Sequence, residues 1–222
     1  LSPSPAVASI SYGLGEIYVS DSTSSLFSTA ASKAGLQGTS IFVSSGDDGV
    51  SGPNSRDNSN GAYACGYMPS FPASCPYVTA VGATMGPEYS SPEVVAQADG
   101  GGLITSGGGL SRHYSVPWWQ STDVDEYTTA SYSNINKKPY PGYESGSWTS
   151  HRGYPDVAAL GRNYEVYIGG SLETLSGTSA SAPVVAGMIS LANAYNINNG
   201  MGTMGFINPA LYANPSVFND IT

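Results

Sequence analysis

One stretch decides the fold of this chain: Ser176-Gly177-Thr178-Ser179-Ala180-Ser181-Ala182-Pro183. It continues as Val184-Val185-Ala186-Gly187 into apolar residues with helical spacing, so it predicts a tight turn followed by a helix that runs to about Tyr195. Such a turn exposes a serine hydroxyl, and the helix behind it contributes free N–H groups and the positive end of its dipole. The stretch therefore indicates Ser179 as a candidate nucleophile.

The first fifth of the chain has the pattern of an α/β fold. A β-prone run over 6–12 is followed by an amphipathic helical segment over 22–34 and by an apolar strand over 39–43. Strand, helix and strand at this spacing form a βαβ unit, so we expect a parallel sheet flanked by helices.

Later segments extend this pattern. Strands are predicted over 77–81 and 155–160, and a hairpin is predicted over 164–175 around Gly169-Gly170. Residues 120–150 are rich in Tyr, Ser, Thr and Asn without a period, which favours a surface loop or an insertion.

The composition is that of one domain, or most of one, over residues 1–222. Seven Lys and Arg face 16 Asp and Glu, and the net charge of −9 excludes nucleic acid as an expected partner. No apolar run is long enough to span a bilayer, so no membrane partner is expected either. The scarcity of basic residues and a pI of 4.3 favour a protein that works in acid.

A serine hydroxyl becomes a good nucleophile only when a base removes its proton. In Asp-His-Ser enzymes of the subtilisin fold that base is a histidine. The two histidines here, His113 and His151, stand in neither of the motifs that subtilisins use, and we expect both on the surface or in loops. A histidine-based site is therefore disfavoured.

The strand over 39–43 ends in Ser44-Ser45-Gly46-Asp47, at the position where a subtilisin-like enzyme places an oxyanion-stabilising asparagine. An ionised Asp47 would repel the developing negative charge, whereas a protonated carboxyl group donates a hydrogen bond to it. Free Asp and Glu side chains titrate near pH 4, so a carboxylate base and a carboxyl donor both suit chemistry in acid.

Together these motifs resemble the sedolisin family, the serine-carboxyl peptidases that include tripeptidyl peptidases. The resemblance covers nearly the whole chain in order, and the further stretches that carry it are Phe71-Pro72-Ala73-Ser74-Cys75-Pro76-Tyr77-Val78-Thr79-Ala80-Val81-Gly82, Ser106-Gly107-Gly108-Gly109, Tyr154-Pro155-Asp156-Val157-Ala158-Ala159 and Gly205-Phe206-Ile207-Asn208-Pro209-Ala210-Leu211-Tyr212. It implies a subtilisin-like α/β fold that hydrolyses peptide bonds in acid.

The resemblance also implies roles for individual residues. Ser179 is similar to the family's nucleophile and Asp47 to its oxyanion aspartate. The stretch Ser106, Gly107 and Gly108 resembles the extended edge that pairs with the substrate backbone. Asp220 and Ile221 resemble the start of the family's calcium site, with a carboxylate and a carbonyl oxygen as ligands. Peptide or protein substrates and a propeptide of the longer protein are the implied partners.

The chain departs from the family pattern in the residue that acts as the catalytic base. The family carries its Glu base and a supporting Asp on a helix that precedes the strand over 6–12, and no such helix is present. The early acids are interpreted otherwise: Asp21 as an N-terminal helix acid and Glu16 as a solvated side chain. We therefore expect both ends to be cuts in a longer protein, so that the fragment alone is inactive.

Three functions remain open from the sequence. The first is a serine-type endopeptidase or tripeptidyl peptidase in the longer protein, secreted or located in a lysosome or vacuole. The second is a catalytically silent relative, or a truncated product, that acts in binding or storage. The third and weakest is a histidine-based subtilase.

Several other residues are predicted to be structural. Cys65 and Cys75 lie ten residues apart in a loop, a spacing that suits a local disulfide or, alternatively, two buried free thiols. Asp48 is interpreted as a turn acid and Asp156 as a hydrogen-bonding residue at a strand end.

Overall fold

The computed structural model describes residues 4–52, 67–131 and 150–221. Eleven strands lie in this part of the chain: β1 (Val7–Ile10), β2 (Leu14–Gly15), β3 (Ser40–Ser44), β4 (Ser70–Phe71), β5 (Thr79–Met85), β6 (Val94–Val95), β7 (Gly109–Ser115), β8 (His151–Tyr154), β9 (Val157–Leu160), β10 (Tyr164–Ile168) and β11 (Ser171–Leu175). Four α-helices accompany them: α1 (Asp21–Leu36), α2 (Ser121–Ser131), α3 (Thr178–Asn198) and α4 (Asn208–Tyr212). Within these described ranges, no helix combines the length and the apolar composition that a bilayer span requires.

A five-stranded sheet forms the centre of the fold. Strands β1, β3, β5 and β9 pair in parallel, with Val7 opposite Ser40 and Val81 opposite Val157. Strand β6 adds one short antiparallel pairing at the end of β5. The predicted parallel sheet with flanking helices is confirmed.

Helix α1 connects β1 to β3 and has clear start and stop signals. The hydroxyl of Ser20 caps the helix by accepting a hydrogen bond from the backbone N–H of Thr23 at 3.2 Å. Asp21 occupies the first turn, as expected, where a negative charge complements the helix dipole. After the helix, Gly38 takes a φ of +92°, which a residue with a side chain adopts only with strain.

The two faces of the sheet are covered by different helices. Phe42 and Val43 alternate along β3, as side chains of a strand must. Phe42 packs with Ala182 and Ala186 of α3, whereas Val43 packs on the other side in a cluster that includes Ala31 of α1. Burial of α3 against the sheet fixes the first turn of that helix close to the end of β3.

The predicted hairpin over 164–175 is also confirmed. Strands β10 and β11 are antiparallel, with Ile168 opposite Ser171 at the turn. Gly169 and Gly170 have φ values of +59° and +90°. Two consecutive residues with positive φ are what a tight two-residue hairpin turn requires, and glycine adopts them without steric cost.

The expectation of a surface loop over 120–150 is wrong for its first part. Residues Ser121–Ser131 form helix α2, while 132–149 lie outside the described residues. The buried positions are Gln120, Val124 and Thr128, four residues apart on one helical face. Because two of these three side chains are polar, the face has no hydrophobic period that the sequence could reveal.

A buried ion pair supports the junction of β8 and β9. The guanidinium of Arg152 donates from Nη2 to Asp156 Oδ2 at 2.6 Å, and both side chains are fully buried. The backbone N–H of Ala80 donates to the same carboxylate oxygen at 2.7 Å, and the hydroxyl of Tyr212 donates to Oδ1 at 2.8 Å. The predicted structural role of Asp156 at a strand end is confirmed.

Replacing Asp156 with alanine is expected to lower the free energy of unfolding by about 3–5 kcal/mol, because it leaves the charge of Arg152 buried without its partner. Urea denaturation measures the change. Asp125→Ala on the exposed side of α2 is the matched control and should change the free energy of unfolding by less than about 0.5 kcal/mol. A loss below about 1 kcal/mol in Asp156→Ala would show that the pair adds little to stability.

The disulfide predicted for Cys75 is not present at that residue, which is a buried free thiol. Cys65, its proposed partner, lies outside the described residues. Cys75 packs in the apolar cluster that includes Val43 and Val78. Burial raises the pKa of the Cys75 thiol to about 11, so the thiolate that disulfide exchange requires is scarce at neutral or acid pH.

Candidate active site

Ser179 lies in the first turn of α3 and is exposed. The helix begins at Thr178, and Gly177 is its N-cap. The carbonyl oxygen of Ser179 accepts a hydrogen bond from the hydroxyl of Ser11 at 2.9 Å, which ties the turn to the chain after β1. The nucleophile candidate therefore combines an accessible side chain with a fixed backbone.

Asp47 follows the carboxyl end of β3 and reaches the same helix terminus. Its Oδ1 accepts hydrogen bonds from the backbone N–H of Thr178 at 2.8 Å and from the Thr178 hydroxyl at 2.9 Å. The Thr178 hydroxyl oxygen in turn accepts from the N–H of Gly46 at 3.1 Å. Thr178 thus clamps the turn after β3 to the start of α3, and it brings Asp47 beside Ser179.

The space between Asp47 and Ser179 depends on Gly177. A Cβ atom at this position would lie 3.2 Å from Asp47 Oδ2 and 3.6 Å from the backbone nitrogen of Ser179. A carboxyl oxygen and a backbone nitrogen of the first helical turn therefore lie close to one small volume that holds no side chain. An oxyanion site needs two hydrogen-bond donors near one point, and these two groups can supply them when the carboxyl group is protonated.

Asp47 and Ser179 line a cleft of about 270 Å³. One wall is the segment after β1, 11–13, and the other is the turn after β3, 44–46. The complete lining is Ser11, Tyr12, Gly13, Ser44, Ser45, Gly46, Asp47, Asp48, Gly49, Gly52, Met68, Ser70, Thr178 and Ser179. The turn acid Asp48 therefore also faces the cleft, which the sequence did not indicate.

The stretch Ser106, Gly107 and Gly108 lies behind this cleft and is not part of its lining. The N–H of Gly107 donates to the carbonyl oxygen of Gly46 at 2.7 Å, and the N–H of Ser106 donates to the carbonyl oxygen of Ala96 at 2.8 Å. Both groups are thus used inside the protein. The stretch supports the cleft wall from behind, and its pairing with a substrate backbone stays a prediction.

Both histidines lie in strands, so the expected loop position is wrong, and both are partly buried. His113 in β7 places Nδ1 2.7 Å from Asp21 Oδ1 and Nε2 3.2 Å from the carbonyl oxygen of Glu16, and its side chain is only 9% exposed. His151 in β8 places Nδ1 2.7 Å from the carbonyl of Ser111. Neither ring lines the cleft, which agrees with the disfavoured histidine-based site.

Glu16 is fully buried, so the expectation that it is solvated is also wrong. Its carboxylate accepts hydrogen bonds from the hydroxyl of Ser111 and from the N–H of Arg112, each at 2.6 Å. These bonds offset the cost of burying the carboxylate and hold the segment after β2 against β7. A single Glu ahead of a short turn has no periodicity, so no sequence signal identified this contact.

Asp220 and Ile221, the predicted calcium ligands, lie at the end of the described chain, and Asp220 is exposed. They supply one carboxylate and one carbonyl oxygen, whereas calcium takes six to eight oxygen ligands. The part of the chain that the structure describes contains no group of three or more acids, His or Cys that could hold a metal ion. These residues do not form a calcium site by themselves, and calcium binding stays a prediction.

A base for Ser179 is not evident in the described residues. The acids that line the cleft are Asp47 and Asp48, and no histidine lines it in the described part of the chain. Oδ1 of Asp47 accepts hydrogen bonds from the backbone N–H and the hydroxyl of Thr178, and the role of Asp47 at an oxyanion stays a prediction. The described lining therefore offers a candidate nucleophile and a candidate oxyanion group, and no histidine that could accept the proton of the serine.

Comparison with known proteins agrees with this geometry. Residues 4–204 match the model of the subtilase family. Aorsin of Aspergillus oryzae is 44% identical over 206 residues, which are 86% of this chain and 31% of that protein. Tripeptidyl-peptidase sed1 of Aspergillus fumigatus is 37% identical over 98% of this chain and 35% of that protein. The chain thus spans about a third of the length of these relatives.

A solved structure is similar over almost the whole chain. Pseudomonas sedolisin, a serine-carboxyl proteinase solved with two molecules of pseudo-iodotyrostatin, superimposes with a TM-score of 0.69 and 26% identity. The match covers 98% of this chain and 55% of sedolisin. The family model, the relatives and the parallel sheet all agree: this chain belongs to the subtilase family, and within it to the sedolisin branch.

Proposed function

We propose that the protein containing this chain is a serine-carboxyl peptidase that hydrolyses peptide bonds in acid. The observation that carries the proposal is the pairing of Asp47 with Ser179 through Thr178, in a cleft whose described lining has no histidine. A carboxyl group in the oxyanion position is useful only when it is protonated. The geometry therefore favours an acid-active enzyme over a histidine-based subtilase.

The reaction begins with attack of Ser179 Oγ on the carbonyl carbon of the scissile bond. The hydroxyl proton passes to a carboxylate base, which we propose is a Glu outside this chain. The oxygen of the tetrahedral intermediate accepts hydrogen bonds from the Ser179 N–H and from protonated Asp47. The base then gives its proton to the leaving amine, and water hydrolyses the acyl-enzyme by the same steps in reverse order.

The contacts of Asp47 indicate which oxygen carries its proton. Oδ1 already accepts two hydrogen bonds from Thr178, so it is poorly placed to donate. Oδ2 is the oxygen nearer to the space at Gly177, since a Cβ atom there would lie 3.2 Å from Oδ2 and 3.6 Å from Oδ1. Protonation of Oδ2 therefore places two donors at the developing oxyanion, and ionisation of Asp47 removes one of them.

The substrates that we propose are peptides or proteins, cut either within the chain or as tripeptides from the N-terminus. The name of one relative, tripeptidyl-peptidase sed1, supports the release of tripeptides. An acid-active peptidase fits a secreted protein, or one in a lysosome or vacuole, and a propeptide would prevent cleavage before it reaches that compartment. A catalytically silent relative that acts in binding or storage is the alternative if the base is missing.

Turnover of an unstructured peptide by the longer protein tests the proposal. We expect hydrolysis at pH 4 that falls as the pH rises towards 7, because a carboxyl group donates to the oxyanion only while it is protonated. Mass spectrometry of the products distinguishes cleavage within the chain from release of tripeptides. Absence of cleavage at any pH would contradict the proposal and favour the silent relative, and turnover that is largest at neutral pH would favour a histidine-based enzyme.

A further inference from the structure

The helix that carries Ser179 cannot form one of its own hydrogen bonds. In an α-helix the carbonyl oxygen of each residue accepts from the N–H four positions ahead, and for Ser179 that position is Pro183, which lies inside α3. Proline has no N–H, and its ring crowds the carbonyl group four residues before it. The carbonyl oxygen of Ser179 therefore cannot accept the regular helical hydrogen bond and is open to a donor from outside the helix.

The donor comes from the end of β1. Ser11 is the first residue after that strand, and its hydroxyl donates to the carbonyl oxygen of Ser179 at 2.9 Å across 168 positions of sequence. Strand β1 pairs with β3, with Ile10 opposite Val43, so the central sheet sets the place of Ser11. A side chain that follows the sheet thus supplies the hydrogen bond that Pro183 removes.

The backbone of Ser179 is consequently held on both sides. On the N-terminal side the N–H of Thr178 donates to Asp47 Oδ1 at 2.8 Å, so this peptide group is fixed by the turn after β3. On the C-terminal side the carbonyl group is fixed by Ser11, after β1. Because β1 and β3 are parallel neighbours, their carboxyl ends meet at one edge of the sheet, where α3 begins. The residue that carries the reacting hydroxyl therefore has two anchors.

The effect of the Ser11 anchor is on geometry more than on stability. Ser11 and Ser179 are both exposed, so water can satisfy the Ser179 carbonyl when the Ser11 hydroxyl is removed, and the change in stability should be small. A reacting hydroxyl, in contrast, must lie about 3–3.5 Å from the carbon that it attacks, and a displacement of about 1 Å can lower the rate by about 10²-fold. Loss of the anchor should therefore lower the rate of attack without unfolding the protein.

We propose that Ser11 is a positioning residue for the nucleophile: its hydroxyl replaces the hydrogen bond that Pro183 withholds and thereby fixes the backbone of Ser179 for attack on the scissile bond. This inference rests on the proposed function, because it takes Ser179 as the nucleophile. Ser11 also lines the cleft, so a role in substrate binding is the competing explanation. The two roles differ in the kinetic constant that they control.

Kinetics of Ser11→Ala in the longer protein test the proposal. We expect kcat for an unstructured peptide in acid to fall about tenfold while KM changes by less than about twofold, because attack geometry is lost and substrate binding is kept. Ser11→Thr keeps the hydroxyl and should restore kcat to within about threefold of the unmodified protein. Ser9→Ala, at an exposed position of β1, is the matched control and should leave both constants unchanged.

The proline provides a second test. In Pro183→Ala the N–H of residue 183 can donate to the Ser179 carbonyl in the regular helical manner, so the hydroxyl of Ser11 becomes redundant. Removing Ser11 should then lower kcat by less than about threefold, against about tenfold with the proline present. Equal losses in the two backgrounds overturn the proposal. An unchanged kcat in Ser11→Ala, or a change confined to KM, overturns it even if Pro183→Ala does not fold.

Hydrogen exchange separates this inference from the proposed function. In the first turn of α3 the N–H groups of Ala180 and Ser181 donate to the carbonyl oxygen of Gly177 at 2.9 and 3.4 Å. Their exchange should be about fivefold faster in Ser11→Ala and unchanged in Ser9→Ala. If the longer protein hydrolyses no peptide but shows this acceleration, the proposed function fails and Ser11 stands as an anchor of the turn. If it hydrolyses peptides and Ser11→Ala is equally active, positioning fails and the proposed function stands.

Discussion

Replacing Ser179 with alanine is expected to abolish peptide hydrolysis, with a loss in kcat of about 10⁶-fold. The variant removes the atom that forms the acyl-enzyme, and water then has to attack the scissile bond without covalent catalysis. The measurement is acid-pH turnover of an unstructured peptide by the longer protein, together with mass spectrometry of the enzyme during turnover. The unmodified protein should show a mass increase on the peptide that contains Ser179.

Ser190→Ala is the matched control for this experiment. Ser190 lies on the same helix, α3, and is exposed. The control should therefore keep its turnover within about twofold, since substitutions at exposed positions change little. Unchanged hydrolysis by Ser179→Ala would assign the nucleophile to another residue and would remove the basis for the proposed mechanism.

Substitutions of Asp47 are expected to have the second largest effect. Asp47→Ala removes one oxyanion donor and should lower kcat by about 10²–10³-fold in acid, or about 2.7–4 kcal/mol of transition-state stabilisation. Asp47→Asn should behave differently, because an amide donates a hydrogen bond at every pH. Its oxygen still accepts from Thr178, as Oδ1 of Asp47 does, while its nitrogen replaces the protonated Oδ2.

The pH profile distinguishes these outcomes. A carboxyl group donates to the oxyanion only while it is protonated, so in the unmodified protein kcat is expected to fall as the pH rises. In Asp47→Asn this fall in kcat should disappear, and a larger share of the acid activity should remain at pH 7. Asp125→Asn on exposed α2 controls for the change in net charge. A profile for Asp47→Asn that coincides with that of the unmodified protein would show that the proton on Asp47 plays no part.

The elements that were predicted correctly share one property: the residues that indicate them lie close together along the chain. The βαβ unit has apolar strands on either side of a helix capped by Ser20, and the hairpin has two adjacent glycines at its turn. Each of these patterns depends on residues that are close along the chain. The same holds for the first turn of α3, whose Gly-Thr-Ser stretch predicted the position of Ser179.

The residues that sequence analysis misjudged are those whose partners are distant along the chain. Glu16 is buried because Ser111 and Arg112 satisfy its carboxylate from about a hundred residues away. His113 is held by Asp21 in the same way. Burial of a charged side chain is tolerated only when such partners are in place, and no local pattern reveals them.

The fold class, the parallel pairing within the βαβ unit and the two candidate groups of the site, Ser179 and Asp47, could all be predicted from the sequence. This was possible because the signals for a turn, a helix start and a strand end each lie in consecutive residues. Only the tertiary structure decided that Thr178 joins these two groups, that Gly177 leaves space between them, and that Asp48 faces the cleft. These facts depend on the packing of α3 against the sheet, which brings residues more than 130 positions apart into contact.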